Sequence, residues 1–157
     1  MAYQDNRGSS GNFKKSTFSN ANNKPQKKTT EEVAKEVIAE NFSGLANDLL
    51  SLNDVTKIKS ILTHLEKFIQ KVANGISTSQ LRNVYGKIIE QKTVIELQLI
   101  RPNIAYVAAR NDKREAKQVM AFIDYLIQQV DTDEKLKAFN KIMEAIVAYH
   151  KYSNTKN

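Results

Sequence analysis

The stretch Ser77–Lys87, "STSQLRNVYGK", crowds hydroxyls, amides and cations into three helical turns. Groups of this kind donate hydrogen bonds, and an arginine presents a planar fork of donors that suits a phosphate. No recognisable catalytic apparatus accompanies them, so the chemistry on offer is recognition of an anion rather than bond breaking. Ser77 and Gln80 also have a plainer use, as a capping box worth about 1 kcal/mol. Capping leaves Arg82 unexplained. On the helical wheel it sits at the rim beside Tyr85 and Ile89, where it either pairs with a carboxylate of its own chain or reaches out to a phosphate; spacing does not choose.

Other residues share this character. Lys57 and Lys59 stand early in a long amphipathic segment, and Asn83 and Lys87 follow the Ser77 cap on the outward face. If one helix runs unbroken from Ile104 to Val119, then Tyr106, Arg110, Lys113, Arg114 and Lys117 fall at i, i+4, i+7, i+8 and i+11, a single stripe. If Asp112 caps a separate helix, the stripe is cut in two. A stripe of this kind fits a sugar-phosphate edge, and it also fits an ordinary solvated helix face.

Most reaction classes lack their residues. With no cysteine, thiolate metal sites, disulfides and cysteine nucleophiles are excluded together. His64 and His150 fall on different helical segments without the Glu-x-x-His spacing of di-iron bundles, so no metal is expected. Glu32, Glu36 and Glu40 recur every fourth residue, but nothing beside them supplies a nucleophile or an oxyanion site. Beyond residue 30 the only glycines are Gly44, Gly75 and Gly86, too few for a phosphate-cradling or dinucleotide loop. The expectation is a protein that is not an enzyme and carries no cofactor.

The 157 residues hold 24 Lys and Arg against 17 Asp and Glu, and a net charge of +7 favours a polyanionic partner. Six of those bases and one acid lie in residues 1–30, a tail rich in Asn, Ser and Lys without apolar periodicity, which reads as disordered. Tyr3, Phe13 and Phe18 near Lys14 and Lys15 suit either an RNA-adhesive arm or an inert solubilising end. The remainder is almost neutral, so any polyanion contact there needs a local patch. Residues 31–54 carry six acids against Lys35, and 55–92 carry seven bases against two acids; such opposed segments suit docking of one copy on another, or plain solvation. No apolar run has the length of a membrane span and no signal peptide opens the chain, so a cytoplasmic protein is expected.

The elements that must position these side chains are helices. Thr29 with Glu32 opens one to about Asn41. "NDVTKIKSILTHLEKFIQKVANG" places Val55, Ile58, Ile61, Leu62, Leu65, Ile69 and Val72 on one face and stops at Asn74-Gly75. The helix begun at Ser77 carries Leu81, Val84, Tyr85, Ile88 and Ile95 until Arg101-Pro102 interrupts it. A short helix with proline in its first turn follows, then one capped by Asp112 with Glu115. A last helix begins at "DTDE" with Leu136, Phe139, Ile142, Met143, Ile146 and Val147 inward. The fold expected is all-α, one compact bundle of five to six antiparallel helices over 31–157, with a disordered tail over 1–30.

"STSQLRNVYGKI" followed by "QLIRPNIAYVAARN" resembles the small subunit of type III-A CRISPR effector (Csm) complexes, most strongly over residues 77–123. The pattern is T-S-Q-[IL]-R at a helix start, then L-x-R-P-x-x-A-Y-x-x-A-R. Ile100 stands where members place leucine, and the long N-terminal tail is unlike most of them. The resemblance implies a non-catalytic subunit of an antiviral ribonucleoprotein, stacked in several copies on itself. It would lie beside backbone subunits that hold CRISPR RNA and cut target RNA, and near a large polymerase-like subunit. By motif it implies RNA contact at Ser79, Gln80, Arg82, Arg101, Tyr106 and Arg110; the surface reading adds Lys57, Lys59, Asn83, Lys113 and Arg114. The alternative is a pure protein–protein adaptor whose arginines are tied up in internal ion pairs.

Overall fold

Side-chain caps set the helix starts. In the computed structural model, which describes residues 24–155, the Thr29 hydroxyl accepts the Glu32 amide at 3.2 Å while the Glu32 carboxylate accepts the Thr29 amide at 2.7 Å. That reciprocal pair opens α1 (Thr30–Asn41). Asp54 accepts the amides of Thr56 and Lys57 to open α2 (Val55–Val72), which ends in a 3-10 turn over Ala73–Gly75. Ser77 and Gln80 form the box that opens α3 (Thr78–Ile89). Then come α4 (Val94–Leu99), α5 (Arg101–Arg110), α6 (Arg114–Gln129) and α7 (Asp133–Thr155), and no strand occurs among the described residues. Six helices of at least ten residues meet the expected all-α architecture, and the six-residue α4 is an addition. Residues 1–23 of the expected tail lie outside the described residues.

At the centre stands α6, with Ala116, Val119, Met120, Ala121, Phe122, Ile123, Leu126 and Ile127 all buried, a nearly all-round burial that requires neighbours on every side. Phe122 stacks on Phe42 at 4.8 Å between centroids, and Phe68 meets both rings edge-on at 5.3 and 5.7 Å. Phe42 belongs to the segment after α1, which descends to α2 through three successive turns closed by 2.9 Å bonds, with Gly44 in the left-handed region at φ 77°. The α5–α6 pair is an antiparallel hairpin, since Arg101 at the start of α5 meets Asp124 near the end of α6. In contrast, α2 and α7 run in the same sense. Asn53 and Thr132 line one cleft at their starts, and His150 meets the carbonyls of Ala73 and Ile76 at their ends.

Three local expectations give way. The helix from Ser77 stops at Ile89 because Thr93 and Glu96 form a capping box of their own and start α4, which leaves Ile95 72% exposed instead of inward. Asp112 caps nothing: Lys113 occupies the N-cap of α6 without a side-chain capping bond, and α5 ends at Arg110. The Tyr106-to-Lys117 stripe is therefore cut in two. On α2 Val55 is 68% exposed, while Phe68, outside the expected face, is fully buried.

Candidate nucleic-acid interface

The turn before α3 is held from three sides. His150, buried on α7, points Nε2 at the carbonyl oxygens of Ile76 (2.8 Å) and Ala73 (3.2 Å), so the tautomer with a proton on Nε2 fits. Its Nδ1 then accepts from the Asn154 amide at 3.4 Å. Gly75 lets α6 close on the turn, because a Cβ there would lie 2.2 Å from the Glu115 Cβ. Lys113, just ahead of α6, reaches the Asn74 carbonyl at 3.5 Å. These contacts fix the start of α3 against the junction of α5 and α6.

Two adjoining clefts result. The first, about 590 Å³, is lined by Asn74, Ser77, Gln80, Arg110, Asp112, Lys113 and Asn154; the second, about 330 Å³, by Gln80, Asn83, Lys87, Val107 and Arg110. Gln80, Arg110 and Asn111 belong to both. Asn111 ties them together: its amide donates to the Val107 carbonyl at 2.7 Å and its oxygen accepts from Gln80 at 3.4 Å. Among the described residues Lys87, Arg110 and Lys113 make no ion pair, and one carboxylate, Asp112, shares the first cleft with them. Arg110 also lies over the Tyr106 ring, 5.5 Å from its centroid. Such a surface is able to hold an extended anion by charge and hydrogen bonds.

Of the expected site residues, Gln80, Asn83, Arg110 and Lys113 come together here, with Tyr106 beside them. Ser79 is exposed on α3, and Arg82, also exposed and outside any ion pair among the described residues, lies roughly 130° around the helix from Gln80, Asn83 and Lys87. Arg114 opens toward α1 and lines a groove with Glu36 and Lys117. Lys57 and Lys59 sit at the far end of α2, about 25 Å away at 1.5 Å per residue. Lys57 is bonded to Asp48 at 2.9 Å, a hydrogen bond that raises its ammonium above the ordinary lysine value. Arg101 is engaged inside the fold, with Nε 2.8 Å from one Asp124 oxygen and Nη2 3.4 Å from the other, which raises its guanidinium further. Asn111 and Asn154 were not anticipated, and only an asparagine just past a helix end hints at the former.

The acidic segment is largely occupied within the chain. Glu31 pairs with Lys35, Glu36 with Lys28 and Asp48 with Lys57, while Glu32 and Asp54 cap helices. No group of three or more His, Cys, Asp or Glu among the described residues is placed to hold a metal ion, and none of the described helices is long and apolar enough to cross a membrane.

A family model described as Csm2 Type III-A matches residues 53–156, about two thirds of the chain and all of the cleft. No curated protein and no solved structure matches significantly.

Proposed function

Because the chain belongs to the type III-A Csm2 family, as a small subunit of the Csm effector complex, we propose that it is a non-catalytic RNA-contacting piece of that assembly. It acts in the cytoplasm, stacked in several copies beside the backbone and large polymerase-like subunits. The cleft between α3 and α5 meets the backbone of the guide RNA–target RNA duplex. One observation carries this reading: three cations outside any ion pair among the described residues, Lys87, Arg110 and Lys113, converge with Gln80 and Asn83 from two distant stretches of sequence, whereas Lys57 and Arg101 are engaged with carboxylates.

Physics favours a helper over an independent binder. Three phosphate contacts with a counterion-release slope near −0.9 each imply roughly 40-fold weaker binding for a fourfold rise in salt. Copies held side by side by neighbours raise the effective concentration of each next contact. Sequence discrimination then lies in guide–target pairing, with this protein sensing backbone and shape.

The adaptor reading has an observation of its own. Ile95 and Leu99, both 72% exposed and four residues apart on α4, form an apolar pair remote from the cleft. Reversal of Arg110 and Lys113 to glutamate separates the two readings. An RNA-contacting subunit loses target-RNA retention with the complex still assembled; a pure adaptor loses assembly, or shows no change in RNA retention.

A further inference from the structure

The geometry points to Tyr106 as a stacking platform for an unpaired RNA base beside the cationic cleft, an assignment that rests on the RNA reading above. The tyrosines of the described residues differ in what occupies their rings. Tyr85, Tyr125 and Tyr149 pack against the core, and Tyr152 is 47% exposed near the end of α7. Tyr106 is 60% exposed and makes no hydrogen bond among the described residues, and its ring meets the Arg110 guanidinium 5.5 Å from the centroid.

An exposed ring braced in this way has a preset orientation, and the cation over it adds attraction for the nearby phosphate chain. Bases inside a duplex already stack on each other and offer no face to a side chain. A protein aromatic therefore engages a base that is unpaired or at a strand end. Tyr106 thus adds a subsite of different chemistry to the phosphate-directed cations: it is selective for single-stranded character and tolerant of base identity, since every base has a π-face. Tyrosine and arginine are also typical anchors of protein interfaces, so the test includes that outcome.

Fluorescence titration of the purified full chain at low salt, with a single-stranded oligoribonucleotide bearing one 2-aminopurine and with the same strand annealed to its complement, tests the assignment. The unaltered chain is expected to quench the single-stranded probe. Tyr106→Leu is expected to weaken single-strand binding about tenfold and remove the quenching, with duplex affinity within about twofold, while Tyr106→Phe retains both. Absence of quenching by the unaltered chain overturns the platform, as does an equal effect of Tyr106→Leu on the two RNAs. A Tyr106→Leu protein that binds both RNAs normally yet leaves the assembled complex assigns the ring to a protein partner and also overturns it. Arg110→Glu with Lys113→Glu, run in parallel, isolates the underlying reading: unchanged binding of both RNAs removes the cleft as an RNA site. Lost binding in that variant, with Tyr106→Leu unaffected, removes only the platform.

Discussion

Arg101 and Arg110 stand at the two ends of one helix and have opposite surroundings. Asp124, only 8% exposed, holds Arg101 by two bonds and also accepts from Gln128 at 2.8 Å. Arg101→Met therefore leaves a buried carboxylate without its cation, with the Gln128 amide still donating to it. The expected loss is about 1–3 kcal/mol, toward the lower end because the Arg101 side chain is 39% exposed and water partly replaces it. Thermal unfolding of the purified chain measures this; a melting temperature equal to that of the unaltered chain would contradict the structural role. Similarly, His150→Leu leaves the Ile76 and Ala73 carbonyls without their ring donor, at a cost of about 1–3 kcal/mol by urea titration. The sequence marked Arg101 and Arg110 alike, since a motif identifies residue type and cannot show that a carboxylate 23 positions onward reaches only one of them.

At the scale of elements, the start of α3 depends on how closely α6 approaches it. Gly75→Ala forces a Cβ into Glu115, and because both atoms are fixed to backbone, the first turn of α6 must shift. A loss of about 1–3 kcal/mol is expected, with weaker RNA retention as Lys113 moves away. Adding Glu115→Gly removes the opposing Cβ, so the double variant is expected to be less destabilised than the sum of the single ones. A double-mutant cycle that comes out additive would mean that the two sites do not touch. Helix starts were legible at Thr29 and Ser77 because each cap closes within three residues, and the Asp54 and Thr132 caps close as locally inside the segments where helices were expected. The equally regular Thr93–Glu96 box lies inside a longer apolar period that carries the expected helix past Ile89, whereas the box starts α4 and turns Ile95 outward.

For the whole molecule, the two ends differ in chemistry. The Asn154 end carries the cationic cleft. The other end, where Gln98 of α4 donates to the Ile127 and Val130 carbonyls at the close of α6, carries the exposed Ile95 and Leu99 pair and the exposed Val55. Ile95→Glu with Leu99→Glu is expected to leave unfolding within about 0.5 kcal/mol, because neither side chain contributes to the core. The same change is expected to displace the subunit from the complex in co-purification; intact assembly would leave that end without a partner. The core itself tolerates less. Phe122→Ala removes the ring that meets both Phe42 and Phe68 and is expected to cost about 3–5 kcal/mol in chemical denaturation.

Sequence alone determined the all-helical class, most of the helix boundaries and the residue types able to meet an anion. Those properties follow from hydrogen bonds and periodicities that close within about four residues. Tertiary structure decided which of these side chains act together. The Gln80–Asn111 bond spans 31 positions and the His150–Ile76 contact 74, and the Phe42–Phe122 stack joins a turn to the central helix. Which faces meet depends on packing the entire core at once, so only the folded chain separates the paired Arg101 from Arg110 beside its cleft.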